Sequence, residues 1–153
     1  MSTRAHIAFY SEKDQPLKDW DALIYKHSDG YPEGTLPLLK EFCEAFNKQR
    51  GLEDSEYASA RYVARLATER DEQLAEYRNP IAMEEFDFLG IGISKQLHGD
   101  IEYFYAVFPN RIEVYRLNQD SWEFKKEDGT PSNRRTLDGY VFILEEKIEL
   151  STS

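Results

Sequence analysis

The period of apolar and polar positions changes twice along the chain. Residues 4–10, RAHIAFY, alternate and are rich in aromatics, which predicts a strand. Residues 22–27, ALIYKH, predict a second strand, and the polar connection between the two holds Pro16. The two are expected to pair antiparallel. From Thr35 the spacing becomes helical: Leu36, Leu39, Phe42, Cys43 and Phe46 recur at intervals of three and four. Thr35 is the expected N-cap, Pro37 fits the first turn, and Gly51 follows Lys48 and Arg50 as a helix stop. A second helix is expected over about 55–78, with Tyr62, Val63, Leu66, Ala67, Leu74 and Tyr77 on its apolar side and Pro80 closing it.

From residue 86 the pattern turns back to strands. FDFLGIGIS at 86–94, DIEYFYAVF at 100–108 and RIEVYRL at 111–117 are read as a meander through turns at 98–100 and 109–110. Both faces of 101–108 are largely apolar, so that strand should be central and covered on both sides. Gly90 and Gly92 suggest a bulge or a close backbone approach. The segment 121–135 is dominated by turn signals, and YVFILEEK at 140–147 is read as the last strand. The string DGY at 29–31 and 138–140 is too short to count as a repeat. This order predicts an α+β fold, a mainly antiparallel sheet with two helices packed on one face, and residues 1–153 fit a single domain. The expected core contains Ile7, Phe9, Leu39, Phe42, Phe46, Val63, Leu66, Tyr105 and Val114.

Composition narrows the class. The 14% aromatic content is mostly tyrosine, ten residues that carry both a ring and a hydroxyl. The single cysteine, Cys43, excludes an intrachain disulfide and is expected to be a buried structural thiol. The opening residues show neither a signal-peptide pattern nor a membrane-length apolar run, so a cytoplasmic address and no membrane association are expected. The net charge of −10 repels nucleic acid and anionic membranes, so direct nucleic-acid binding is not expected.

The densest chemistry lies in YKHSDGYPEG, residues 25–34. His27 and Asp29 would share a face if the strand continued through them, and a carboxylate there could orient the imidazole. No local nucleophile completes a triad, since Ser28 would point the other way. His6, His27 and His98 lack helical metal spacing, although His6 and His27 could meet if their strands pair; no metal or cofactor is predicted. As architecture, Asp29–Gly30 is a turn dipeptide: Gly30 is expected to supply the positive φ, and the Asp29 carboxylate to bond the backbone N–H groups that follow.

At these residues the chain resembles a family of small proteins encoded by bacteriophages and prophages. TRAHIAFY, then IYKHSDGYPEG leading into LPLLKEF, and the later GDIEYFYAV with IEVY carry the likeness, which covers roughly the first third and the 99–115 hairpin. The resemblance marks Arg4, His27, Asp29, Gly30, Tyr31 and Pro32 as motif positions. It implies no general activity. It implies an accessory protein that acts inside the host cell.

Three functions follow as expectations. The first is a non-enzymatic binding protein that blocks a host protein, such as a defence or nucleic-acid-processing factor that could carry a basic, nucleic-acid-binding surface, through acidic residues Glu69, Asp71, Glu72 and Glu76. The second is a small-ligand site, for a nucleotide, around Arg4, Tyr25, His27 and Tyr31. The third is a hydrolase with His27 as base and Asp29 as its orienter, set behind the other two.

Overall fold

The structure is a computed structural model that describes residues 3–77, 90–118 and 134–151. The expected strand start at 86–89, the helix stop at Pro80 and the turn-rich 121–133 lie outside the described residues, as do the side chains of Asp71, Leu74, Glu76 and Tyr77. The described elements are β1 (Ala5–Phe9), β2 (Ala22–Lys26), α1 (Pro32–Gln49), α2 (Ser55–Tyr77), β3 (Ile91–Ile93), β4 (Tyr103–Phe108), β5 (Arg111–Asn118), β6 (Arg134–Leu137) and β7 (Tyr140–Glu149).

Seven strands form one sheet in the order β3-β2-β1-β4-β5-β7-β6. Only β1 and β4 pair in parallel among them; every other pairing is antiparallel. The expected α+β sheet with two helices is therefore present. The expected meander is correct only for β4, β5 and the turn at Pro109–Asn110. β3 pairs with β2 at the far edge rather than with β4, so residues 94–102 form a return loop, not a hairpin. β6 was not expected at all.

Alternation places the two cores on opposite faces of the sheet. Ile7, Phe9, Ile24, Tyr105, Val107 and Val114 face the helices and pack with Leu39, Cys43, Phe46, Tyr62 and Leu66. Phe42 and Val63, expected inside, are partly buried against that cluster. The opposite face carries Ala8, Tyr10, Leu23, Phe104, Phe108 and Tyr115, with Leu17, Trp20 and Leu97 of the flanking loops against them. β4 is buried on both sides, as its two apolar faces predicted. Cys43 lies in the helix-side core, and burial drives its thiol far up from the ordinary range.

α1 begins three residues before the expected cap. Pro32 takes the first helical position, where its missing N–H costs nothing, and Tyr31 stands at the N-cap without a side-chain bond. Thr35 instead lies inside the first turn and donates its hydroxyl to the Asp29 carbonyl at 2.8 Å. Pro37 is thus an interior proline, and it cannot donate to the carbonyl four residues back. Gly51 does end the helix: at φ 105° its N–H reaches the Phe46 carbonyl at 2.9 Å.

Asn47 locks the far end of α1. Its amide nitrogen donates to the Pro109 carbonyl at 3.1 Å and the Ser151 carbonyl at 3.3 Å, while its oxygen accepts from the Leu52 N–H at 2.8 Å.

Candidate functional site

The pairing of β1 with β2 sets His6 directly opposite Tyr25, and the 94–102 loop brings His98 over both. His6 is completely buried. The His98 backbone N–H donates to His6 Nε2 at 3.0 Å, so the ring proton belongs on Nδ1, which faces the Ile24 carbonyl at 3.2 Å. Burial pulls its pKa down to about 4, and the bond to Ile24 opposes only part of that. His6 is therefore a neutral strut that anchors the loop.

Above it, His27, His98 and Asp100 are exposed, while Arg4, Tyr25 and Ser94 are partly buried. Tyr25 and His98 stack with centroids 4.5 Å apart and planes 18° from parallel. The Tyr25 hydroxyl lies 3.1 Å from His27 Nδ1, and the His27 backbone N–H is held by the Gly90 carbonyl at 2.9 Å. Arg4 Nη1 pairs with Asp100 Oδ2 at 3.2 Å, and the Arg4 Nε is buried without a partner. Burial raises the Tyr25 pKa, with the Asp100 carboxylate adding to the shift. His98 Nε2 lies 3.3 Å from the Ser94 hydroxyl, and its Nδ1 lies 4.0 Å from Asp100 Oδ1. Three histidines, two carboxylate–cation partners and a serine thus share one end of the sheet.

Of the expected site residues, Arg4, Tyr25 and His27 come together there. His6 meets His98, and no ring contact joins it to His27. The His27–Asp29 dyad does not form. β2 stops at Lys26, and Asp29 turns away at φ 56°, where its carboxylate accepts the Tyr31 hydroxyl at 3.4 Å. The positive φ expected of Gly30 belongs to Asp29 instead. Gly30 is required for a different reason: its N–H donates to the Thr3 carbonyl at 2.9 Å, and a side chain there would collide with β1.

On the helix side of the same strand end, the Lys26 ammonium donates to the Asp29 carbonyl at 3.3 Å and the Thr35 hydroxyl at 3.2 Å. Burial lowers its pKa, while Asp29 and Glu69 pull the other way. The acidic turns of α2 therefore begin beside the Asp-Gly-Tyr-Pro turn. Glu69 is partly exposed and Glu72 is exposed.

Sequence reasoning weighed His98 only as a metal ligand and missed its grouping with Ser94 and Asp100. Their signal was S-x-x-x-H-x-D within SKQLHGD, where Ser94 was read as a strand end and 98–100 as a turn. Among the described residues no group of three or more His, Cys, Asp or Glu side chains is arranged to hold a metal. No helix among them is long and apolar enough to cross a membrane. Comparison with known proteins finds no matching family model, no matching curated protein and no matching solved structure.

Proposed function

We propose that the chain works by binding: an accessory protein of the phage type that occupies a host protein at the end of β2. The observation that carries this reading is the Tyr25–His98 stack, a half-buried tyrosine ring under an exposed imidazole, already fixed in place. His6 holds its loop from below, and the Tyr25 hydroxyl ties it to His27. Rigid rings lose little conformational entropy on contact, and their polar tips can choose a partner. Glu69 and Glu72 on the adjoining helix add the negative field that would favour a basic partner. A nucleotide stacked on Tyr25 is the competing occupant. Capture from a bacterial lysate, with mass spectrometry of both proteins and co-purified small molecules, separates the two. A protein retained by the wild type and lost with Tyr25→Ala and His98→Ala supports the reading. A partner that both variants retain at equal folded concentration overturns it.

A hydrolase is the second reading, with Ser94, His98 and Asp100 in place of the failed His27–Asp29 pair. The Ser94 hydroxyl would give its proton to His98 Nε2 as its oxygen bonds an acyl carbon, and the imidazolium would return that proton to the leaving group. Binding ranks first because the 4.0 Å gap to Asp100 is too long for a hydrogen bond and Arg4 holds the other carboxylate oxygen.

A further inference from the structure

We infer that the groove between α1 and α2 is a second binding site, and that it takes an acidic amphipathic segment of a partner protein. The groove has a volume of about 470 Å³ and is lined by residues of both helices, several of them exposed. Its floor is apolar: Phe42 and Phe46 stack with centroids 5.6 Å apart, and Ala64 on α2 leaves room above them. Its charged lining is all of one sign, from Arg50, Arg61 and Arg65. In a chain of net charge −10 that clustering is a local departure, which Asp54 and Glu41 at its margins offset in part.

The three guanidiniums are not equivalent. Arg50 lies over the Tyr57 ring at 4.1 Å and pairs with Asp54 at 2.6 Å, so it is held in place at one end. Arg65 reaches Glu41 at 3.8 Å across the groove, a long and exposed contact that an incoming carboxylate can replace. Arg61 is exposed and makes no ion pair with a described residue. Tyr57 is half exposed and stands beside these cations.

The shape argues for a peptide over a small anion. The α2 lining runs from Tyr57 to Thr68, a span of about 16 Å at the helical rise. A free phosphate would fill one end only. A helix laid along the groove would set apolar side chains on Phe42 and Phe46 and carboxylates against Arg61 and Arg65, one turn apart. Beyond a Debye length the repulsion from the chain's overall negative charge is largely screened, so a segment seated among the arginines feels mainly their local field.

The test uses a labelled amphipathic peptide of about 14 residues, Leu on one face and Glu on the other, long enough to span the groove. A matched peptide with Lys for Glu and inorganic phosphate serve as controls. The expected result is saturable binding of the Glu peptide, weakened by salt, and at least about tenfold weaker in Arg61→Glu and in Arg61→Glu/Arg65→Glu. Circular dichroism and the melting temperature should stay unchanged in Arg61→Glu, because that side chain is exposed, whereas the double variant also loses the Arg65–Glu41 contact and is compared at matched folded concentration. Equal binding of the Lys peptide, no response to Arg61→Glu, or no binding overturns the inference. So does full competition by phosphate, which would mark a small-anion site, or a wild-type dimer that Arg61→Glu dissociates, which would make a second copy the occupant.

Discussion

Gly30 lies so close to β1 that a β-carbon on it would stand 2.7 Å from the Ala5 β-carbon and 2.8 Å from the Thr3 carbonyl oxygen. Neither neighbour can yield, since Ala5 is fully buried and the other is backbone. The Tyr105 hydroxyl also donates to the Gly30 carbonyl at 2.5 Å, fixing it from the core side. Gly30→Ala should therefore destabilise by about 1–3 kcal/mol through overpacking. Asp29→Gly should be tolerated, because glycine accepts the φ of 56° without strain. Urea denaturation of both variants checks the pair. The reverse order of stabilities would mean that the conformation of the turn, and not its closeness to β1, is what selects glycine.

The same turn shows what the chain disclosed and what it withheld. Asp29–Gly30 announced a turn, but a dipeptide does not say which residue takes the positive φ. At the second DGY, Asp138 and Gly139 both take it, at 49° and 83°, and they join β6 to β7. That Asp-Gly hairpin signal was present in the sequence. It was missed because β6 is four residues with only Leu137 buried, so it has almost no alternation to read. Strands with two-residue periodicity, and the stripes of both helices, were legible. Neighbour relations were not: the 94–102 loop looked like a hairpin turn, and the distant partner of β3 carries no local signature. The site followed the same division. Tyr25 and His27 stood out by type, whereas Ser94, His98 and Asp100 acquire meaning only once the loop folds back over His6.

His6 should make stability depend on pH. Its pKa falls from 6.5 to about 4 on folding, so between those values the unfolded chain binds a proton that the native protein refuses. Stability contributed by the neutral ring is fully present above pH 6.5 and is lost as the pH falls toward 4, by roughly 3 kcal/mol in all. Chemical denaturation at a series of pH values should show this slope in the wild type and a shallower one in His6→Gln. Carboxylates also titrate in acid, so the difference between the two curves is the quantity to read. Parallel curves would mean that His6 is not held neutral.

Ser94 gives the two functional readings different outcomes. If the protein only binds, a fluorophosphonate probe and an activated ester should leave Ser94 unmodified, and Ser94→Ala should keep full partner capture. If the protein is a hydrolase, Ser94 should label and turn over ester, and His98→Ala should abolish both. We expect no labelling, since Asp100 is occupied by Arg4. Stoichiometric labelling of Ser94 that His98→Ala removes would reverse the ranking.

Asn47 carries the last prediction, because one buried amide there joins three parts of the chain. Asn47→Leu keeps the side chain's branching and heavy-atom count, though it is bulkier, and leaves the Leu52 N–H and the Pro109 and Ser151 carbonyls without that partner. Unpaired buried groups cost about 1–3 kcal/mol each, and partial relaxation should hold the total near 3 kcal/mol. Asn47→Asp separates donation from acceptance. Its carboxylate could still accept from Leu52 but would face two carbonyl oxygens, so the charged form is disfavoured and the folded-state pKa should lie above the unfolded value of about 3.9. The native state then binds the extra proton, and the variant should gain stability on mild acidification, where the wild type loses it. Thermal denaturation of both variants at two pH values is the measurement. A wild-type melting temperature in Asn47→Leu would show that the amide fills space without tying α1 to the β4–β5 turn.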